Sequence, residues 1–374
     1  RTVVLTTHSM QDLAICDKLV VLARDGHCAF VGAPEAAVDH FQVGHDEMYE
    51  RLAGEATPAE WARRFPEVSN QPDVLHDAQQ AARAAGPPRP RGAHPIGPLR
   101  QCAVLSRRNL DILVHNRLTL AILLGSPVLV VLMFLVLFKP DAFEFADPSP
   151  SATIMIVYWI AFAGFFFGLT YGLLQICTEF PILRRERFVG VRIGPYVLSK
   201  VAVLAPLLLA MSVIMLVVLR LFDRLPEASL GTYAVLTVTL FLDALAALAL
   251  GLLTSAAVTG PAQATIALPL LCFPQVLFSG AILPVPIMAT IGKAVSYAMA
   301  DRWAFEGLGH ELGLNRLLAE GGSQLGPPLL AEYGGTFSRG TWIAWTILAG
   351  MALVFLIGAV TVCARKCRPA AHFV

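Results

Sequence analysis

The sequence predicts a mainly α-helical protein in which a six-helix transmembrane domain follows a short α/β segment. Hydrophobic residues make up 56% of the 374 residues, charged residues make up 15%, and the mean hydropathy is +0.64. This balance is typical of a polytopic membrane protein rather than a soluble domain. Six stretches are apolar over about twenty residues, the length that a helix needs to cross a bilayer. The net charge of +1 identifies no partner, and no basic tract with interleaved aromatic residues predicts nucleic-acid binding.

Residues 1–43 have the pattern of the end of an α/β domain. Thr2–Thr6 is a β-branched apolar run, typical of a buried strand, and Ser9–Asp12 has the form of a capping box that opens a helix. His8 is therefore expected at a strand-to-helix turn. A β-hairpin and a second helix follow: a strand at 18–22, a turn at Arg24-Asp25-Gly26, a strand at 27–32 and a helix that starts near Pro34.

Residues 44–98 are predicted to be a helical extension and a linker. Asp46–Phe65 favours a short helix, whereas Pro66–Pro98 is too rich in proline for one. Residues 99–116 place apolar and charged side chains on opposite faces, which predicts an amphipathic connecting helix at the membrane surface. An ordinary cytosolic helix is the alternative.

The transmembrane domain is expected over residues 117–374. The six predicted spans are 118–138, 152–176, 197–219, 232–258, 262–283 and 342–363. Span four passes into span five through only Thr259, Gly260 and Pro261, and a long segment separates span five from span six. Pro269 and Pro274 remove backbone donors within span five and are expected to bend it.

The distribution of basic residues predicts that both termini are cytosolic in a multi-pass protein of the cytoplasmic membrane. With that orientation the two short outer loops hold only Lys139, Arg220 and Arg224. The inner flanks hold Arg100, Arg107, Arg108, Arg117, Arg184, Arg185, Arg187, Arg192, Lys200, Arg365, Lys366 and Arg368. All seven cysteines then lie in the membrane or the cytosol, so no extracellular disulfide is expected.

The segment Glu179–Lys200, EFPILRRERFVGVRIGPYVLSK, combines carboxylates with an arginine cluster between spans two and three. It resembles a loop of the G-subfamily ABC exporters, in which a glutamate, an R-E-R cluster, a small residue, a tyrosine and a lysine recur in this order. Opposite charges at this spacing can pair into a rigid element that docks on an ATPase domain. An arginine cluster that only sets orientation is the alternative. The resemblance implies coupling roles for Glu179, Arg184, Glu186, Arg187 and Lys200, with Gly190 and Tyr196 also matched.

A second resemblance to the same exporters begins at the end of span five, with LFSGAILPVP followed by SYAMADRWAFEGL. It implies a partly re-entrant external segment. Asp301 departs from the pattern because a small residue or proline is usual before the arginine. The matched positions are Leu277, Phe278, Ser279, Gly280, Ile282, Leu283, Arg302 and Phe305.

The start of the chain is similar to the C-terminal end of an ABC ATPase domain. The segments TTHS and DGHCAFVGAPEAAVDHF carry this similarity, which implies that His8 is a catalytic residue near the γ-phosphate of ATP. The sequence lacks a phosphate loop, a signature motif and a Walker B strand. The chain is thus predicted to be a fragment that does not hydrolyse ATP alone, while the full-length protein binds ATP and magnesium. No metal site is predicted within the chain itself.

The glycines of span two predict close packing with another helix, with gating as the alternative, whereas aromatic and polar residues of spans two and five are candidate substrate contacts. Gly164, Gly168 and Gly172 recur every four residues, a ridge on which another helix can pack closely. In the resembled family these two spans of both protomers line the central cavity, although packing in the core is the alternative for each residue. The implied substrate contacts are Phe166, Tyr171, Phe273, Gln275 and Phe278.

Asp243 lies near the middle of span four, where a charged carboxylate is costly, so it is predicted to be protonated, paired or water-facing. Together these patterns predict a half-transporter that forms a homodimer or heterodimer and exports an amphipathic or lipid-like substrate, with membrane lipid around it. A secondary transporter and a non-transporting membrane scaffold are the alternatives, and a carboxylate such as Asp243 is what a secondary transporter would require.

Overall fold

The computed structural model describes residues 4–6, 16–23, 28–44, 47–54, 57, 60–61 and 97–367, with the side chains of 49, 53, 118–120, 122 and 124 left out. The chain divides into two compact units, Arg1–His94 and Pro95–Val374. His8, the predicted capping box at 9–12, the hairpin turn at 24–27 and the linker at 66–96 lie outside the described residues.

The first unit contains the predicted hairpin and the helix after it. Strands β1 (Leu19–Leu22) and β2 (Cys28–Gly32) pair antiparallel, and helix α1 (Pro34–Phe41) begins at a proline, whose fixed φ suits a first helical position. Helix α2 (Met48–Gly54) follows within the predicted extension. A small core holds the unit together and includes Ala29, Phe30, Ala37, Phe41, Met48 and Trp61.

The predicted strand at Thr2–Thr6 is wrong for the three residues of it that the structure describes. Residues 4–6 form no strand, and the side chains of Val4 and Leu5 are 87% and 57% exposed. An apolar run becomes a buried strand only when neighbouring strands supply hydrogen bonds and a covering layer. Within the described residues the sheet has two strands, β1 and β2, and neither pairs with this run.

The second unit is helical, and in its described part five helices are long and apolar enough to cross a membrane: Pro150–Leu173, Ile193–Leu221, Leu230–Ala257, Pro261–Phe278 and Thr341–Lys366. The helix Arg117–Leu137 has 21 residues and is apolar, but several of its side chains are not described, so the sixth span stays a prediction. The helices are α3 (Pro98–His115), α4 (Arg117–Leu137), α5 (Pro150–Leu173), α6 (Phe180–Phe188), α7 (Ile193–Leu221), α8 (Leu230–Ala257), α9 (Pro261–Phe278), α10 (Thr290–Ser296), α11 (Ala300–Glu311), α12 (Leu314–Glu320), α13 (Gly326–Tyr333) and α14 (Thr341–Lys366).

Span five ends at Phe278, five residues earlier than the sequence predicts. Gly280 has a φ of +88°, and a Cβ there would lie 2.7 Å from Cγ2 of Val285. Glycine is thus required for the turn that ends α9. The apolar residues after the turn belong to the segment 279–340, whose short helices α10 to α13 lead to α14.

Helices α5 and α8 pack closely at the centre of the unit, as the glycine ridge predicts. A Cβ at Gly168 would collide with the carbonyl oxygen of Ala244, and one at Gly172 would lie 2.5 Å from that of Leu248. Because neither glycine carries a side chain, the two backbones can approach at these positions.

The long helices alternate in direction, which gives the bundle two distinct ends. The α3 end contains α3, α6 and the end of α14, where Lys366 donates hydrogen bonds to the carbonyl oxygens of Ala257 (2.6 Å) and Val258 (2.8 Å). The opposite end contains the loops 138–149 and 222–229 and the segment 279–340.

Candidate functional site

The ion pair between Lys200 and Glu179 is the centre of the candidate site at the α3 end. Lys200 Nζ lies 2.7 Å from Glu179 Oε1, and the lysine side chain is only 3% exposed. The hydroxyl of Tyr196 donates to Glu179 Oε2 at 3.1 Å, so both carboxylate oxygens are engaged. Glu179 precedes α6, whereas the other two residues lie in the first turns of α7. The pair therefore fixes the α5–α6 connection to the start of α7.

Helix α3 joins this cluster through Asn109, which is buried against α7. Its Oδ1 accepts a hydrogen bond from Lys200 Nζ at 3.2 Å, and its Nδ2 donates to Ser199 Oγ at 3.0 Å. Ser199 Oγ in turn donates to the carbonyl of Tyr196 at 2.7 Å. The side-chain amide of Asn109 therefore links α3 to the buried lysine. The hydrogen bond between them satisfies polar atoms of both side chains.

Two further side chains of α3, Arg108 and Gln101, attach this helix to the loop around α6. Arg108 forms an ion pair with Glu186. Gln101 Nε2 donates to the carbonyl of Gly190 at 3.2 Å, and its Oε1 accepts from the backbone amide of Arg192 at 3.0 Å. Gly190 has a φ of +100°, a conformation that glycine adopts without strain. The three elements α3, α6 and α7 are therefore joined at four side chains of α3 and α7: Gln101, Arg108, Asn109 and Lys200.

The charges in this loop do not pair as the sequence predicts. Arg184 and Arg187 are the expected partners of Glu179 and Glu186, but the structure pairs these glutamates with Lys200 and Arg108. Arg184 is exposed on α6. The reason is geometric, because α3 and α7 flank α6 and bring cations from outside the loop onto its carboxylates.

The predicted substrate contacts do not form one shared surface. Tyr171 is buried, and its hydroxyl donates to the carbonyl of Leu123 in α4 at 2.5 Å. Gln275 is buried, and its Oε1 accepts from the backbone amide of Asp301 at 3.1 Å. Phe166 and Phe278 are half-buried, whereas Phe273 is 64% exposed on α9. The phenylalanines leave aromatic surface available to a ligand or another chain, and the two polar residues make contacts inside the protein.

Asp243 is fully buried in α8, where it faces the glycine ridge of α5. A Cβ at Gly164 would lie 3.4 Å from Asp243 Oδ2. Asp301, in the first turn of α11, is fully buried as well. Burial and the nearby carboxyl of Asp243 raise the pKa of Asp301 well above the usual aspartate value. The sequence singles out both residues but does not reveal that they are neighbours.

The arginine of the second motif is buried in a polar and aromatic cluster at the opposite end. Arg302 Nε donates to Glu306 Oε1 at 2.8 Å, Nη1 donates to Ser296 Oγ at 2.5 Å, and the guanidinium lies 4.3 Å from the centre of the Tyr297 ring. Arg339 pairs with the second oxygen of Glu306 at 3.1 Å. Phe305 is buried against Phe337. The motif therefore stabilises the segment 279–340.

Sequence reasoning missed the α3 residues of the site. Asn109 follows Leu105 by four residues, so the two lie on one helical face, and both are buried. A polar residue on a face that packs against protein is the signal that identifies Asn109. Arg108 carries no comparable signal, since it is one of several arginines on α3.

A cofactor site cannot be assigned within the described residues. No group of three or more His, Cys, Asp or Glu side chains there could hold a metal ion. His8, the residue that the sequence links to ATP, lies outside them.

Comparison with known protein families identifies the family to which this chain belongs. The family model described as "ABC-2 type transporter" matches residues 100–310, more than half of the chain, from α3 to α11. This chain belongs to the ABC-2 type transporter family. The matched ABC-2 region contains the whole polar cluster of α3, α6 and α7 together with Asp243 and Asp301.

A relative with a longer chain is similar over most of this chain. The chain is 26% identical over 320 residues to the ABC transporter ATP-binding/permease protein Rv1747 of Mycobacterium tuberculosis. The match covers 82% of this chain and 35% of the relative, so the chain spans about a third of the relative's length.

Proposed function

We propose that this ABC-2 chain is the permease part of a half-transporter of the G-subfamily-like type, which dimerises and exports an amphipathic or lipid-like substrate with energy from ATP. Two findings support the proposal: membership of the ABC-2 family, and the similarity to a protein named as both ATP-binding and permease. In this proposal the ATPase domain binds ATP and magnesium, and His8 is a catalytic residue of that domain.

The attachment of α3 to the loop around α6 is the observation that carries this proposal. An ATPase domain at the α3 end would push on α3 or α6, and a rigid joint is needed to pass that movement to a long span. Arg108–Glu186 and Asn109–Lys200–Glu179 form such a joint and end in the first turns of α7. Packed helices with fixed polar contacts move as units, which lets a small shift at one end change the whole bundle.

The charge distribution supports a cytosolic location for the α3 end. Basic residues of α3, α6 and α14 gather there, whereas the short loops at the opposite end carry only Lys139 and Arg224, with Arg220 in the last turn of α7 beside them. Cytosolic flanks of membrane proteins are enriched in lysine and arginine. The segment 279–340 is then external, which suits an exporter that releases its substrate on that side.

The exposed side chains of the long helices support a hydrophobic or amphipathic substrate. Phe273 and Leu270 are 64% and 68% exposed on α9, and Ile266 is 66% exposed on the same helix. Such an apolar surface contacts lipid, a second protomer or a lipid-like substrate without charged groups that would select a polar one.

Reconstitution of the protein expressed from its complete reading frame tests the function. Proteoliposomes receive a fluorescent phospholipid and, separately, an amphipathic cationic dye as probes. We expect ATP to drive movement of at least one probe, vanadate to stop it, and ATP hydrolysis to rise when that probe is present. Probe movement that depends on an ion gradient and is insensitive to vanadate would favour a secondary transporter. Normal cellular function after loss of the ATP site would favour a scaffold.

A further inference from the structure

Two carboxyl groups that have no ionic partner among the described residues lie inside the helical unit. Asp243 is in the middle of α8 and Asp301 is in the first turn of α11, and both are 0% exposed. Among the residues that the structure describes, none of their four carboxyl oxygens has a hydrogen-bond partner. The backbone of Phe165 lies near Asp243, but neither carboxyl oxygen of Asp243 accepts a hydrogen bond from it. A buried polar group in this state requires a physical explanation.

The cation next in sequence to Asp301 is already engaged elsewhere. Arg302 donates to Glu306 and Ser296 and stacks on Tyr297, so its guanidinium points into the polar and aromatic cluster at the end opposite to α3. The backbone amide of Asp301 donates to Gln275 rather than serving a carboxyl. Neutralisation by an ion pair is therefore not what holds these aspartates in place.

The other helices around the pair bring no cation to it within the described residues. The charged residues of α7 and α14 lie near their ends: Lys200 and Arg220 on α7, and Arg365 and Lys366 on α14. Helix α9 brings the Cys272 thiol within electrostatic reach of Asp301, and α10 carries Lys293. Further along α11, Glu306 binds two arginines and His310 Nδ1 contacts the carbonyl of Phe337 at 2.8 Å.

The hydroxyl of Tyr158 on α5 is a third unpaired polar group in the region of Asp243 and Asp301. Its side chain is 0% exposed, its hydroxyl has no partner among the described residues, and it lies within electrostatic reach of Asp301. The nearby Ser279 hydroxyl donates to the carbonyl of Val276 at 3.2 Å. Helices α5, α8 and α11 therefore each place a buried, unsatisfied oxygen in one region.

Two ionised carboxylates cannot share such a region. Removing one carboxylate from water without a partner is energetically costly, and a second like charge nearby adds to that cost. The N-terminus of α11 favours a negative charge on Asp301, but this effect is smaller than the cost of burying an unpaired carboxylate. A protonated carboxyl carries no charge. Its O–H group can donate a hydrogen bond to a neighbouring oxygen.

We propose that Asp243, Asp301 and Tyr158 form a proton-binding site, which takes up protons when α11 packs against α5 and α8 and releases them when that packing opens to water. Each uptake forms one O–H bond on a carboxylate oxygen with a proton from water, and no electron is transferred. The site lies away from the polar cluster of α3, α6 and α7. It makes the conformation of the permease depend on pH as well as on ATP. Acid then favours the packed arrangement.

Infrared spectroscopy of the complete protein in lipid nanodiscs tests whether the carboxyls are protonated. With aspartate labelled by ¹³C at the carboxyl carbon, we expect a protonated C=O stretching band at pH 7 that shifts in D₂O. Asp243→Asn and Asp301→Asn should each remove part of this band, whereas Asp147→Asn, in an exposed loop, should not. A wild-type spectrum without the protonated band would overturn the proposal even if every variant failed to fold.

The pH dependence of unfolding provides a second test that needs neither ATP nor substrate. A carboxyl whose pKa is raised in the folded state stabilises the fold below its ordinary pKa and loses this effect as pH rises through the raised value. We expect the folded-to-unfolded ratio to fall about tenfold per pH unit for each proton over that range. Asp243→Asn/Asp301→Asn should flatten this slope, and Asp147→Asn should keep it.

Two results would contradict the proton site in this second test. One is an equal slope in the wild type and the double variant. The other is a stability that follows Na⁺ or K⁺ concentration at constant pH, since that result would assign the site to a metal cation.

Discussion

Lys200 Nζ and Glu179 Oε1 lie 2.7 Å apart, and this contact joins the start of α7 to the residue that precedes α6. The same ammonium contacts Asn109 of α3 at 3.2 Å. One buried cation therefore connects three helices at the end of the bundle where we place the ATPase domain.

Replacing Lys200 by methionine should strongly destabilise the protein. The substitution keeps most of the side-chain volume but leaves Glu179 without its cation, and breaking one half of a buried pair costs about 3 to 5 kcal/mol. Thermal unfolding in nanodiscs measures the effect. Arg316→Met is the matched control, because its pair with Glu320 is 77% and 63% exposed and should contribute less than about 1 kcal/mol. Equal effects of both changes would contradict the role of Lys200.

The arginines on α6 should be replaceable by lysine. Arg184 and Arg187 do not pair with Glu179 or Glu186, so Arg184→Lys/Arg187→Lys keeps the charge and should retain ATP-driven transport in the complete protein. Arg108→Glu should uncouple hydrolysis from transport, and Arg108→Glu/Glu186→Arg should restore part of the coupling. The ratio of probe moved to ATP hydrolysed is the measurement. Loss of coupling in the double lysine variant would show that the arginines themselves form the network.

The sequence predicts the helices better than the contacts between them. Apolar length places α5, α7, α8, α9 and α14 within a few residues, except at the end of α9, where Gly280 adopts a positive φ. The pairing of Glu186 with Arg108 spans 78 residues of sequence and depends on how α3 packs, which no local pattern specifies. The partners of a charged residue are therefore the least predictable part of this site.

Adding a methyl group at Gly168 should separate α5 from α8. The Cβ would collide with the carbonyl of Ala244, and overpacking of this kind costs about 1 to 3 kcal/mol. Gly350→Ala is the control, because no atom lies within 4 Å of its added Cβ and alanine favours the helix. Thermal unfolding should separate the two variants. A neutral Gly168→Ala would mean that the two helices do not touch at this position.

The orientation of the bundle can be measured with single cysteines in a background that lacks the seven native ones. A cysteine at Ser149, which is exposed at the opposite end, should react with an impermeant maleimide in intact cells. A cysteine at Val189, 83% exposed at the α3 end, should react only after the membrane is permeabilised. The reverse pattern would place the α3 end outside and contradict export in the proposed direction.

The buried acid pair shows a second limit of sequence reasoning. Asp243 is conspicuous because it interrupts an apolar span, and Asp301 is conspicuous because it departs from a family pattern. Their proximity results from the packing of α11 against α8, and α11 belongs to a segment of short helices whose path has no regular period. Only the folded chain brings the two observations together.

Distances between two protomers measure whether the contact between α3 and α6 transmits the nucleotide state to the permease. Spin labels at Leu230, which is 90% exposed at the opposite end, report the distance between two protomers of the complete protein. We expect ATP with vanadate to change this distance in the wild type and in Arg107→Leu, whose side chain is exposed, but not in Arg108→Leu. The same change in Arg108→Leu, with nucleotide bound equally in all three proteins, would contradict coupling through this contact.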